Sequence, residues 1–97
     1  MTREESKRCV GPGWSKLIDE LFDRMPKDAS VFSVKEKFGG LRIDGIGTSD
    51  LEIELEERSQ KICEECGQTG EIRDLNWIRT LCTAHYVERK RLGGSIA

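Results

Sequence analysis

An α+β fold with a metal-stapled end follows from three patterns in this 97-residue chain. Between Trp14 and Met25 the apolar residues recur at helical spacing. Between residues 30 and 46, two β-rich runs flank Gly39-Gly40. Towards the C-terminus, Cys63, Cys66, Cys82 and His85 read C-x2-C-x15-C-x2-H. The predicted architecture is an N-terminal helix packed on a β-hairpin, a second helix, and a C-terminal treble-clef-like zinc lobe. Residues 1–13 are expected to be a flexible arm, 14–62 the helix–hairpin–helix unit, and 63–97 the zinc-binding lobe, within one compact domain.

The arm is charged and then Gly/Pro-rich (Val10-Gly11-Pro12-Gly13), which predicts a frayed lead-in. Trp14, Leu17, Ile18, Leu21, Phe22 and Met25 then form a full helical stripe, with Lys16, Asp19, Glu20, Asp23 and Arg24 on the other face. The stripe reads as core. Pro26 ends the helix, because the residue before a proline avoids helical geometry.

In residues 30–46, Gly39-Gly40 supplies the positive φ values that a two-residue hairpin turn needs. That turn sets Phe38 opposite Leu41, Lys37 opposite Arg42, Glu36 opposite Ile43 and Lys35 opposite Asp44. Alternation then turns Phe32, Val34, Phe38, Leu41 and Ile43 towards the first helix, and Lys35, Lys37 and Arg42 away from it. Glu36 falls on the apolar face. Either its carboxylate reaches water at an edge, or it accepts a hydrogen bond from a backbone N–H or from the Trp14 indole.

Ser49-Asp50-Leu51-Glu52 fits a capping box with Ser49 as the cap. The helix is predicted to run to about Lys61, with Leu51, Leu55 and Ile62 inward. Asp50, Glu52, Glu54, Glu56 and Glu57 make an acidic face weighted towards the helix start, where the dipole favours it. That face is either a solvated surface or a recognition surface that imitates phosphates.

Two close pairs of soft ligands joined by a short linker are the pattern of a tetrahedral structural zinc site. Cys63-Glu64-Glu65-Cys66-Gly67 reads as a zinc knuckle and residues 70–82 as a second hairpin. Cys82 and His85 stand three apart in the first turn of a last helix, so both can reach one ion. A closed Cys3His site holds the chain together and has no open position for substrate. His85 is the sole histidine, so none is left to activate Ser, Thr or Cys9 as a nucleophile. A non-enzyme is therefore expected, with structural Zn2+ as its cofactor and Cys9 as a bystander thiol.

Composition narrows the classes further. Hydrophobic content is 36%, charged content 35% and formal net charge −2, which excludes binding DNA by bulk attraction. Residues 1–57 carry nine Lys/Arg against thirteen Asp/Glu, and residues 58–97 carry seven against five. No apolar run approaches a membrane span and no secretion signal is evident, so paired cysteines point to metal in a reducing cytoplasm rather than to disulfides.

Three stretches together carry a resemblance: Cys9-x-Gly-x-Gly-Trp14 with Leu17-Ile18-Asp19-Glu20-Leu21; Val34-Lys35-Glu36-Lys37-Phe38-Gly39-Gly40-Leu41-Arg42; and Cys63-x-x-Cys66-Gly67 with Trp77-Ile78-Arg79-Thr80-Leu81-Cys82-x-x-His85. They resemble a family of small, uncharacterised bacteriophage and prophage proteins, over roughly residues 9–86. The resemblance implies a phage accessory protein in the cytoplasm of a bacterial host and implies no activity. Where that family often carries an aromatic pair after the hairpin arginine, this chain has Ile43-Asp44.

Two functional readings result. In the first, the protein binds a host or phage protein, with inhibition of a bacterial defence system as one outcome. Its surface would draw on Lys35, Lys37, Arg42, Glu52, Glu56, Arg89, Lys90 and Arg91. In the second, the hairpin cations and Arg73, Arg79, Arg89, Lys90 and Arg91 contact nucleic-acid phosphates. Arg89, Lys90 and Arg91 also suit a helix C-terminus, where cations complement the dipole. No membrane and no small-molecule substrate is expected.

Overall fold

The structure is a computed structural model that describes the backbone of residues 1–94 and the side chains of residues 1–91. It is α+β, with helices α1 (Arg3–Arg8), α2 (Ser15–Arg24), α3 (Ser49–Ser59) and α4 (Thr83–Gly94), and two antiparallel hairpins. These pair β1 (Ser30–Lys37) with β2 (Gly40–Ile46) and β3 (Glu71–Asp74) with β4 (Ile78–Leu81).

The helical stripe does what its spacing requires. Trp14, Leu17, Ile18 and Leu21 are buried against Val31, Val34, Leu41 and Ile43 of the first hairpin and Leu55 of α3, with Phe22 and Met25 at the margin. Met25 leaves helical geometry at ψ 148°, one residue before Pro26. α3 covers the edge of β2 with side-chain acceptors: the Leu41 N–H donates to Ser59 Oγ (2.8 Å) and the Ile43 N–H to Glu56 Oε2 (3.0 Å). A strand edge capped in this way is closed to other chains.

Four expectations need correction. Residues 1–13 are not a frayed arm. Thr2 and Glu5 form a reciprocal capping box that starts α1, and Arg3 and Lys7 dock α1 on α2 through Asp19 (both) and Asp23 (Arg3) at 2.6–2.9 Å. A short 3-10 turn (Pro12–Trp14) then leads into α2.

The hairpin turn is Phe38-Gly39, with φ of 53° and 78°, so Lys37 pairs with Gly40, Glu36 with Leu41, Lys35 with Arg42 and Val34 with Ile43. Phe38 is thereby moved from the apolar face into the turn and is 66% exposed. A bulge between Val31 and Ser33 turns Val31 inward and leaves Phe32 outside. Gly45 marks the bulge: a Cβ there would meet the Ser30 carbonyl and lie 2.9 Å from Thr48 Oγ1. Lastly, α3 is capped by buried Thr48 rather than Ser49, with the Thr48 hydroxyl bonded to the Glu52 carboxylate and the Thr48 carbonyl accepting from Glu52 N–H (2.8 Å).

Ion pairs join α2 to α3: Arg24 to Glu54 (2.6 Å) and Arg58 to Glu20 (2.7 Å). The Arg24 guanidinium holds the Glu54 carboxyl down at about 2, from an ordinary 4.5. A carboxyl depressed by folding contributes stability above its unfolded value and loses it as pH falls through its folded value. Acid titration of unfolding should therefore show a contribution lost between about pH 4.5 and 2. Glu54→Gln should remove it, and high salt should shrink it because the pair is solvent-exposed.

The C-terminal lobe adds few apolar residues to the interior: beyond Ile62, only Cys63 and Leu81 are buried apolar side chains among the described residues. It is anchored to the first unit where β4 meets the Phe38-Gly39 turn, the Thr80 hydroxyl donating to the Gly39 carbonyl, and at the entry to α2. The Trp14 indole donates to the Ile62 carbonyl (2.9 Å) and the Gly13 N–H to the Glu64 carbonyl (2.8 Å). Glycine is required at 13, since a Cβ would sit 2.6 Å from Glu64 C and 2.7 Å from Gly67 N.

Candidate metal centre

The chain leaves α3 through turns at Lys61 and Ile62, and a single bridge pairs Ile62 with Thr69. Within that loop Cys63 N–H donates to Gln68 O (2.7 Å) and Gly67 N–H to Cys63 O (2.9 Å), with Gly67 at φ 82°. This is the tight knuckle expected of residues 63–67, and it points Cys63 and Cys66 the same way. β4 delivers Cys82 from the second hairpin, and the Tyr86 N–H to Cys82 O bond (2.9 Å) opens α4 so that His85 turns back onto Cys82.

The four ligand atoms lie within 4.8 Å of one another. Cys63 Sγ is 3.5 Å and Cys82 Sγ 3.2 Å from His85 Nδ1, and Cys66 Sγ is 3.8 Å from Cys82 Sγ. A tetrahedral ion with bonds of about 2.3 Å to sulfur and about 2.0–2.1 Å to nitrogen sets its ligands about 3.8 Å apart for S···S and about 3.5 Å for S···N. Three of the six separations lie close to the edges of such a tetrahedron, and all six are within 4.8 Å. The residues present fit a metal ion.

Electrostatics favour a cation at the same point. Burial pushes the Cys63 thiol up, but the backbone N–H groups of Cys82, Cys66 and Glu65 together outweigh it and bring the group to about 7. The His85 ring is raised by its bonds to Cys82 and Cys63, which attract positive charge. The thiolate is the metal-binding form of cysteine.

The two glutamates between the first cysteines fasten the knuckle on opposite sides. Glu65 accepts both arms of Arg89 (3.0 and 3.1 Å), tying the knuckle to α4. Glu64 is buried, pairs with Arg79 (2.5 Å), and exchanges backbone contact with Thr80 (Glu64 N–H to Thr80 O, 3.0 Å). Burial raises the Glu64 carboxyl and Arg79 partly offsets it.

The other residues singled out in the sequence do not form one surface. Lys35 and Lys37 are exposed on β1, and Arg42, opposite Lys35, reaches Glu56 (3.4 Å). Glu52 is engaged by Thr48 and Glu56 by the Ile43 backbone, so the acidic face of α3 is largely spent within the fold. Arg89 is held by Glu65, Lys90 lies over the Tyr86 ring (5.7 Å), and Arg91 is exposed. Glu36 accepts from the Gly39 N–H (2.7 Å), the backbone-acceptor alternative raised by its position on the apolar face.

A cluster the sequence pattern did not foreshadow lies elsewhere. Phe38, Trp77 and Ile78 are 66%, 66% and 37% exposed and line a cleft of ≈ 380 Å³ with Glu36, Lys37 and Asn76. Trp77 stands beside Asn76, whose φ of 74° bends the second hairpin. An aromatic beside an Asn turn was the available signal for the Trp77 side. Alternation had assigned Phe38 to the inner face, so its exposure was not expected.

Compared with family models, with curated proteins and with solved structures, the chain gives no match. No helix among the described residues is long and apolar enough to cross a membrane.

Proposed function

We propose that this chain is a non-enzymatic binding protein whose C-terminal lobe is a treble-clef-like module closed by structural Zn2+ on Cys63, Cys66, Cys82 and His85. Three thiolates and one imidazole at tetrahedral spacing are a donor set that suits zinc. Four protein ligands leave no coordination site for substrate, and the sole histidine is among them. The partner is a host or phage protein, in keeping with a phage accessory protein that acts in the bacterial cytoplasm, for instance by inhibiting a defence system. The observation that carries this reading is the joined patch of Phe38, Trp77 and Ile78, since large apolar residues held exposed on two braced hairpin tips suit a protein interface.

Affinity capture with the zinc-loaded protein tests it. A partner protein retained at micromolar concentration, lost with Trp77→Ala and weakened with Lys37→Glu, is the expected result. Capture that is indifferent to both substitutions defeats it.

One observation favours nucleic acid as the second reading: Lys35, Lys37, Lys90 and Arg91 make no ion pair among the described residues. Arg42, Arg73, Arg79 and Arg89, however, are paired internally. A mobility-shift titration at two salt concentrations decides between them. Phosphate contacts would give a log–log slope of about 0.7–0.9 per contact, and the protein-binding reading expects no shift.

A further inference from the structure

Tips from opposite halves of the chain meet at one point. The Phe38-Gly39 turn lies on β4 so closely that a Cβ on Gly39 would be 3.2 Å from Arg79 C and 3.3 Å from Ile78 Cγ2. The Thr80 hydroxyl donates to the Gly39 carbonyl, locking the joint. Phe38 and Trp77 flank the ≈ 380 Å³ cleft, which is contiguous through Glu36 and Trp77 with a second hollow of ≈ 300 Å³ lined by Arg8, Glu64 and Arg79.

Charge around these hollows is unevenly spent. The Glu36 carboxylate serves the Gly39 N–H and that of Glu64 serves Arg79. Among the described residues Arg8, Lys35 and Lys37 have no ion-pair partner, and the buried Arg79 Nε has no acceptor. Three cations, Lys37, Arg8 and Arg79, line the two hollows against two carboxylates, Glu36 and Glu64, so the balance of charge there is positive.

We infer that the Phe38–Trp77 cleft docks an acidic segment of the partner protein, with one large apolar side chain between the rings and Asp or Glu side chains on Lys37 and Arg8. This rests on the protein-binding reading and names the chemistry of the partner. A peptide is favoured over a nucleic-acid strand because a peptide can place one or two carboxylates beside Lys37 and Arg8. A phosphodiester chain would carry its regular charge past Glu36 and Glu64. Burying an apolar side chain between two rings supplies affinity, and rim charges chiefly set selectivity and association rate.

Random-peptide display against the zinc-loaded full chain tests this, followed by Trp fluorescence titration with the selected peptides. Trp14 is fully buried, so a binding-induced change reports Trp77. The expected consensus is an aromatic or large aliphatic residue flanked by Asp/Glu. Replacing that anchor with alanine or changing the acids to lysine should each weaken binding by about tenfold or more, and Trp77→Ala protein, titrated by calorimetry because it lacks the reporter, should lose as much. Lys37→Glu should reverse the charge preference while zinc content and circular dichroism stay unchanged.

A consensus without acids, equal binding by the lysine peptides, no enriched peptide, or binding only by an oligothymidine probe would each overturn the inference. The reading beneath it fails separately. A captured protein that depends on Trp77 but shows no preference for acid keeps the protein-binding reading and discards the acidic segment. Absence of any Trp77-dependent protein discards both.

Discussion

Cys66→Ser is expected to unfold the chain from Cys63 onward, and a strong chelator should do the same to the native protein. The reason lies in how little else holds this lobe. Its two strands are four residues each, and an isolated two-stranded hairpin is marginal in water. Among the described residues of the lobe, only Cys63 and Leu81 bring buried apolar side chains. A structural zinc site supplies about 10–16 kcal/mol of apparent folding free energy in small domains, which exceeds anything this interior offers. Hydrogen exchange should show protection lost over residues 63–94, and metal analysis should fall from one zinc per chain towards none. Cys9→Ser, at an exposed cysteine outside the cluster, is the control and should change neither. Full protection of residues 63–94 in metal-free Cys66→Ser would refute the staple.

The centre was readable because ligand spacing is a local property. C-x2-C and C-x2-H each fix a pair within one turn, and only the meeting of the pairs needed tertiary structure. The first helix was readable for a like reason, since a stripe of six apolar residues has one way to be buried.

The hairpin shows where such reasoning stops. Period-two alternation placed Val34, Leu41 and Ile43 on the inner face and Lys35, Lys37 and Arg42 on the outer one, and those faces hold. Moving the turn by one residue re-pairs the strands yet preserves both faces, so alternation cannot detect the slip. What fixes the register is long-range: Ser59 and Glu56 of α3 take the N–H groups of Leu41 and Ile43, and β4 packs on Gly39. These contacts hold Phe38 at a positive φ that its own side chain disfavours. The bulge that turns Phe32 outward is equally invisible to alternation. α1 is different, because Thr2-Arg3-Glu4-Glu5 spells a capping box and was outweighed by the Gly/Pro run after it.

The binding surface was illegible for the same physical reason as the register. Phe38 and Trp77 lie 39 positions apart in sequence, and period-two alternation turned Phe38 towards the core rather than outward. They come together only when the zinc lobe sits against the first hairpin. Under the proposed function, metal and binding are coupled: chelation should abolish partner binding even though no ligand residue lines the cleft.

Trp14→Ala should be the most damaging substitution outside the metal ligands, costing about 3–5 kcal/mol of a total near about 5–15 kcal/mol for a domain of this size. Trp14 is fully buried, central to the apolar core, and its indole N–H satisfies the Ile62 carbonyl just before the first ligand. It therefore ties the core to the lobe as well as filling space. Trp14→Phe separates the two contributions. The ring is largely retained, and the lost donor leaves a buried carbonyl unsatisfied at a cost of about 1–3 kcal/mol. Urea unfolding followed by circular dichroism measures both. Because the knuckle closes locally around its ligands, Trp14→Ala should keep about one zinc per chain while a single unfolding transition separates into two, the core melting ahead of the metal lobe. One cooperative transition at unchanged midpoint would show that the lobe is held to the core by something other than this tryptophan.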